Sequence, residues 1–217
     1  MVNVGAGSGS YEPGDRLVVA VEPSMTMIRQ RPPGSAPVVQ GPAETLPLVD
    51  GAVDAALAIL TMHHWTHPDR GLAEMVRIAR RRVVILTWDQ QVFEDFWLVG
   101  EYFPCIRDLD RGRALAIANI TSVLAKSEIV SIPIPHDCHD GFLGAFWQRP
   151  EAYLDPRVRS GISAFAAISP EERDEGLGRL AADIRSGAWA ERHCNLLDLD
   201  ELDLGYRLIV AASCGDA

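Results

Sequence analysis

Short apolar runs punctuate the first part of the chain: Val2 to Val4, Leu17 to Val21, Pro37 to Val39, Val53 to Ile59 and Val83 to Thr87. They are apolar throughout rather than alternating, as the strands of a parallel sheet are when helices cover both faces. Between the fourth and fifth runs, Leu72, Met75, Val76 and Ala79 recur at i, i+3, i+4 and i+7, which predicts an amphipathic helix. Arg80, Arg81 and Arg82 follow, and are expected to sit as cations against the negative end of that helix. Strand, helix and strand in succession call for right-handed crossovers and a doubly wound α/β sheet.

Beyond Thr87 the rhythm changes. Residues 93 to 103 are apolar and aromatic, a helix is expected over Asp110 to Lys126, and Ile129 to Ile134 reads as a strand stopped by Pro133 and Pro135. Residues 136 to 195 hold aromatics, glycine and proline punctuation and two helical stretches, with no alternating strands. They read as a cap inserted into an α/β domain made of 1–135 and 196–217. Tyr206 to Ala212 is a last strand, and the acidic Asp198, Asp200, Glu201 and Asp203 before it read as a solvated connection.

Composition narrows the partners. Lysine plus arginine number 20 against 30 acidic residues, a net charge of −10 that disfavours a nucleic-acid backbone as partner. Lys126 is the only lysine, so any Schiff-base or P-loop chemistry must use it. Cys105, Cys138, Cys194 and Cys214 form no C-x-x-C pair, and no signal peptide or membrane-length apolar run is present. These features predict a cytoplasmic protein with reduced thiols, no membrane contact and a small-molecule substrate.

The strongest local signal is V-N-V-G-A-G-S-G-S at residues 2 to 10. Glycines directly after a buried strand let the backbone turn sharply and let a ligand approach without an intervening Cβ. A dinucleotide fingerprint would place its third glycine at position 10, which is Ser10; here Gly5, Gly7 and Gly9 give G-x-G-x-G. The second run ends at Glu22, where a carboxylate can accept hydrogen bonds from both hydroxyls of a ribose and repels a 2′-phosphate. An adenosyl ligand and NAD both remain open on these residues.

G-A-G-S-G, V-A-V-E-P-S-M-T-M, A-E-T-L-P-L-V-D-G-A-V-D and A-I-L-T-M-H-H-W, in that order, resemble a class I S-adenosylmethionine-dependent methyltransferase. The resemblance is to the small-molecule branch that includes the ubiquinone and menaquinone enzymes, and covers residues 2 to 88. It implies a Rossmann-like, seven-stranded sheet with an antiparallel last strand. It also implies that Gly5, Ala6, Gly7 and Gly9 wrap the methionine and ribose of S-adenosylmethionine and that Glu22 holds the ribose hydroxyls. Pro23 and Ser24 would flank the adenine with Met27 nearby, Ala43 and Glu44 would meet the adenine edge, and the Leu60 carbonyl would receive the methionine amino group.

Two departures stand out. Only twelve residues separate Gly9 from Glu22, with Pro13 and Gly14 among them, so the helix after the glycine loop must be very short. Met1 directly precedes the first strand, where the family has covering helices. Either the chain is shortened or the cap takes over the covering role. Both cases predict an open cofactor pocket and an apolar strip beside the first strand that favours a homodimer.

Five of the six histidines fall into two clusters, His63, His64 and His67, and His136 and His139. His63 or His64, following the fourth strand, is the candidate base for the acceptor group. His136, Asp137, His139 and Trp147 are the candidate substrate residues of the cap, which closes over the same cavity. A metal reading would join His63, His67, His136, His139, Asp137 and Asp140, but no helix-borne H-E-x-x-H is present and no metal is expected. Against methyl transfer stand an NAD-dependent oxidoreductase and a non-catalytic protein of methyltransferase-like fold.

Overall fold

Val2, Asn3 and Val4 are between 0% and 2% exposed, because the strand they form, β1 (Val2–Val4), lies in the middle of a sheet. The structure, a computed structural model, describes residues 1–113, 115–124 and 126–212, with side chains left aside at 112 and 113. It divides into two compact units. The first holds Met1–Asp89, Arg113–Ser131 and the chain from Arg207; the second holds Gln90–Gly112 and Ile132–Tyr206.

In the first unit, β2 (Val19–Glu22) leads into the short helix α1 (Met25–Arg29), followed by β3 (Val38–Gln40) and β4 (Val53–Ile59). Helix α2 (Pro68–Ile78) and β5 (Ala79–Trp88) come next, then a helix at Ile117–Val123, β6 (Ser127–Ser131) and β7 (Tyr206–Ala212). The sheet order is β3-β2-β1-β4-β5-β7-β6. Strands β1 to β5 pair in parallel, with Val2 opposite both Val19 and Ala56, and β7 runs antiparallel to β6. This is the expected Rossmann-like sheet with an antiparallel last strand.

The core follows from the apolar periodicity. Leu72, Met75 and Ile78 of α2 are fully buried and join Val2, Val4, Ala56, Ala58, Val83 and Ile85 in one cluster. Each large apolar side chain so buried contributes roughly 1.5–3 kcal/mol. Gly71 lets the helix approach Trp65, since a Cβ there would lie 2.4 Å from Trp65 Cε3. Glu74 and Arg77 tie α2 to the preceding loop: Leu46 N–H donates to Glu74, and Arg77 donates to the carbonyls of Leu46 and Leu48 and to Asp50.

Several boundaries differ from expectation. Leu17 is 94% exposed and stays outside β2, which starts at Val19. Arg80, Arg81 and Arg82 belong to β5, because α2 stops at Ile78 and Ala79 is already extended. Arg80 pairs with Asp54 across the β4–β5 ladder at 3.0 Å, so this basic cluster faces a carboxylate of the neighbouring strand and not a helix dipole. The helix expected over Asp110 to Lys126 is two helices, Pro104–Arg113 and Ile117–Val123. The strand expected over Ile129 to Ile134 is β6 alone, and Ile134–Pro135 instead pairs with Glu201–Leu202 in the second unit. The second unit is therefore larger than the expected 136–195. The expected apolar strip beside β1 is not exposed either, since β1 and the facing residues Ala20, Val21, Ala56 and Leu57 are buried.

The second unit is organised around rings. Trp97 makes edge or tilted contacts with Phe96, Tyr102, Tyr153, Trp189 and His193. Trp97 Nε1 donates to the Trp147 carbonyl at 2.8 Å, Trp147 Nε1 to the Ile134 carbonyl at 2.9 Å, and the Tyr153 hydroxyl to the Leu143 carbonyl at 2.6 Å. Its longest helix, Pro170–Ser186, opens with a capping box between Ser169 and Glu172 and closes on left-handed Gly187. Cys105, Cys138 and Cys194 are free thiols; Cys214 lies outside the described residues. No helix among the described residues is long and apolar enough to cross a membrane.

Candidate active site

The loop leaving β1 turns back on itself at once: the N–H groups of Gly5 and Ala6 both donate to the Val21 carbonyl. Gly5, Gly7 and Gly9 have φ of +68°, +53° and +91°, a region that costs an L side chain roughly 1–2 kcal/mol. At Gly5 space is also closed, since a Cβ would lie 2.0 Å from Thr61 Oγ1. From Gly5 to Val18 the chain is turns, bends and irregular backbone without a helix, where the short spacing to Glu22 predicts a very short one.

Glu22 closes β2 and is 6% exposed. One carboxylate oxygen accepts the Gly7 N–H at 2.8 Å and the other the Ser24 N–H at 2.9 Å. A carboxylate has about four acceptor sites, so two remain for hydroxyl donors. Ser24 also caps α1 through the Met27 N–H, and half-buried Met27 comes up beside Gly7, where a Cβ would lie 3.4 Å from its Cε. Pro23 is exposed and Ala43 buried.

Glu44 has a structural bond of its own. Its carboxylate accepts the His67 N–H at 3.0 Å, at the start of α2, whose capping residue His67 has no side-chain cap. Partial burial pushes the Glu44 pKa up, but the backbone donors at His67 and its neighbours outweigh this and hold it below the ordinary value. Leu60, just past β4, has φ of +48°, one of two non-glycine residues in the left-handed region among those described. Such strain persists where the surroundings over-determine it, and clusters at ligand sites. The Leu60 N–H is fixed to the Leu86 carbonyl at 2.9 Å.

Met62–His64 form a single tight turn after β4. The rings of His63 and His64 lie 3.8 Å apart, and His63 meets Trp88, the last residue of β5, edge-on at 4.9 Å. His63 is half-buried, while His64 and His67 are exposed. The glycine loop, Glu22, Leu60 and the imidazole pair thus follow the carboxyl ends of the adjacent strands β1, β2 and β4, where open α/β sheets bind ligands.

The remaining candidates lie in the second unit. His136, Asp137 and His139 are exposed around a turn that follows Ile134–Pro135. Trp147 departs from the substrate role expected of it: it is fully buried, and its indole N–H and carbonyl are both engaged within the ring core. Among the described residues, no three histidine, cysteine, aspartate or glutamate side chains gather as a metal site. Sequence reasoning missed Thr61, which closes the space beside Gly5, and the buried pair Arg31 and Glu12 behind the glycine loop. Thr61 adjoins the histidine motif and could have been read from it, whereas no spacing rule links Arg31 to Gly7.

A loop with glycine at three alternate positions, beside a buried carboxylate with acceptor sites to spare, fits an adenosyl ligand. Comparison with known proteins agrees. A methyltransferase-domain family matches residues 2–87. Over 97% of its length, the chain is 35% identical to a protein of Anabaena variabilis ATCC 29413, described as an inferred methyltransferase from an antibiotic biosynthesis pathway. That match covers 90% of the Anabaena chain, with a TM-score of 0.89. The protein belongs to the class I S-adenosylmethionine-dependent methyltransferases, and S-adenosylmethionine is its cofactor.

Two more distant structures share the fold. One is an S-adenosylmethionine-dependent methyltransferase of Thermotoga maritima (23% identity, 61% of this chain and 66% of that one, TM-score 0.50). The other is phosphoethanolamine N-methyltransferase 2 of Haemonchus contortus in complex with S-adenosylmethionine (13% identity, 98% of this chain and 48% of that one, TM-score 0.53). No curated protein matches. Of the two cofactors that the glycine loop left open, membership of the methyltransferase family selects S-adenosylmethionine over NAD.

Proposed function

We propose that the protein methylates an oxygen, nitrogen or carbon nucleophile of a small molecule. The observation that carries this reading is the meeting of the glycine loop, buried Glu22 and the His63–His64 pair at neighbouring strand ends. The net charge of −10 favours a small substrate over a nucleic acid. The Anabaena protein's place in an antibiotic biosynthesis pathway points the same way.

The cofactor supplies a methyl group on a positively charged sulfur. The chain's own residues hold, align and exclude water. Backbone groups of Gly5, Ala6, Gly7 and Gly9 cradle the methionine and ribose portions, and Glu22 accepts from the ribose hydroxyls. Pro23, Ser24 and Met27 flank the adenine, with Ala43 and the free acceptor sites of Glu44 at its edge, and the Leu60 carbonyl takes the ammonium group. His63 or His64 accepts the proton that the acceptor loses.

Radiolabelled S-adenosylmethionine offered with panels of phenols, amines and activated carbon acids tests this reading. Transfer to one class, with kcat lost in His63→Ala or His64→Ala, is the expected result. Transfer only to protein or nucleic acid would overturn it.

A further inference from the structure

The crossover from β1 to β2 lacks a helix, so something else must hold the glycine loop in shape. The side chain of Arg31, only 5% exposed, reaches it from the residues after α1. Arg31 Nη1 donates to the Gly7 carbonyl at 3.3 Å and lies so close to Gly9 that a Cβ there would be 3.2 Å away. Its Nη2 pairs with Glu12, itself 9% exposed, and donates to the Ala36 carbonyl at 3.0 Å. The second Glu12 oxygen accepts the Ala36 N–H at 2.8 Å. One buried ion pair therefore ties together the glycine loop, the crossover and the turn leading to β3.

Gly7 is consequently gripped through both of its backbone polar groups. Its N–H is fixed by Glu22 and its carbonyl by Arg31. Stability alone does not call for this arrangement, because burying two charges costs more than packing apolar side chains of similar volume. What the guanidinium adds is direction: a planar fork of donors that orients a carbonyl and a carboxylate at once. A loop held in its binding shape loses less conformational freedom when the ligand arrives.

We propose that Arg31 and Glu12 are positioning residues that preorganise the glycine loop for S-adenosylmethionine in place of the absent crossover helix. The inference rests on the reading of that loop as the cofactor loop. The test is calorimetry with S-adenosylhomocysteine on the wild type, Arg31→Met, Arg31→Lys and Glu12→Gln, at a temperature where each is folded. Thermal unfolding of the unliganded proteins is measured in parallel.

Arg31→Met is expected to weaken binding by about tenfold or more. Glu12→Gln should weaken it less, and Arg31→Lys should recover part of the loss by keeping the charge. Hydrogen exchange at the amides of Gly7 and Gly9 should quicken in the unliganded variants, whereas a role confined to global stability would lower the unfolding temperature and leave affinity unchanged. If Arg31→Met does not fold, Arg31→Lys and the near-isosteric Glu12→Gln carry the test. Wild-type binding with every folded variant within twofold of it overturns this inference alone. A wild type that ignores S-adenosylhomocysteine overturns the reading of the loop as well.

Discussion

The two units are built from different materials. The first packs valine, alanine, leucine and isoleucine between parallel strands and helices, and its backbone polar groups are paired largely within the sheet. The second packs tryptophan, tyrosine and phenylalanine rings against one another, and its short turns are fixed by ring donors bonded to backbone carbonyls. An aliphatic parallel sheet is a repeating solution that many sequences reach, and it presents strand ends at which any nucleotide-like ligand can bind. A ring cluster is a singular solution, in which particular ring donors must meet particular carbonyls. On the proposed reading, cofactor chemistry sits with the general part of the molecule, and the individual character of the protein with the other.

The largest effect should come from the ring core. Trp147→Ala removes a fully buried indole and leaves the Ile134 carbonyl without its donor, at a cost of about 3–5 kcal/mol. Urea denaturation measures this, and a loss under about 1 kcal/mol would show that the rings do not organise the second unit.

Next comes Gly5→Ala in the first unit. Left-handed strain and the collision with Thr61 should together cost about 2–3 kcal/mol and abolish binding of S-adenosylhomocysteine. Adding Thr61→Ala should restore part of the stability and none of the strain term. A fully stable single variant would mean that the loop tolerates a different path.

Acid should weaken both units through carboxylates held below their ordinary range. Glu74 is held down by its hydrogen bonds to Arg77, and Asp183 by those from Arg192 and Tyr102. A depressed carboxylate contributes stability that is full above its ordinary value, 4.5 for Glu74 and 3.8 for Asp183, and is lost as pH falls through the lower folded value. Thermal unfolding should thus hold steady above these values and decline below them, and Glu74→Gln should decline less steeply. An identical acid slope in that variant would remove Glu74 from the account.

The smallest effect is a gain. Lys126 is exposed with φ of +56°, so Lys126→Gly should stabilise by about 1 kcal/mol. It also yields a chain without lysine, whose cofactor binding should be unchanged.

The same contrast explains what could be read beforehand. Strands β1, β4 and β7 form over the residues whose apolar runs predicted them, and the residues of the glycine loop and Glu22 announce themselves by type and order. Leu17 shows the limit: it is as apolar as its neighbours yet exposed, because pairing and not composition ends a strand. Arg80 to Arg82 could as well follow a helix as open a strand, and only the Asp54 partner decides. Arg31 and Glu12 are 19 positions apart with no periodicity between them, so their pairing appears only when β2 and α1 are folded. Trp147 illustrates the second unit as a whole, since an aromatic side chain suits a core and a ligand face equally until its donor finds a carbonyl.

The central claim is that the first unit holds S-adenosylmethionine through the glycine loop and Glu22. Isothermal calorimetry of S-adenosylhomocysteine with the wild type and Glu22→Ala tests it directly. The wild type should bind, and the variant should lose roughly 2–4 kcal/mol of binding free energy as two charge-assisted hydrogen bonds disappear. Equal affinity in the two proteins, or a wild type that binds NADH and ignores S-adenosylhomocysteine, would contradict it.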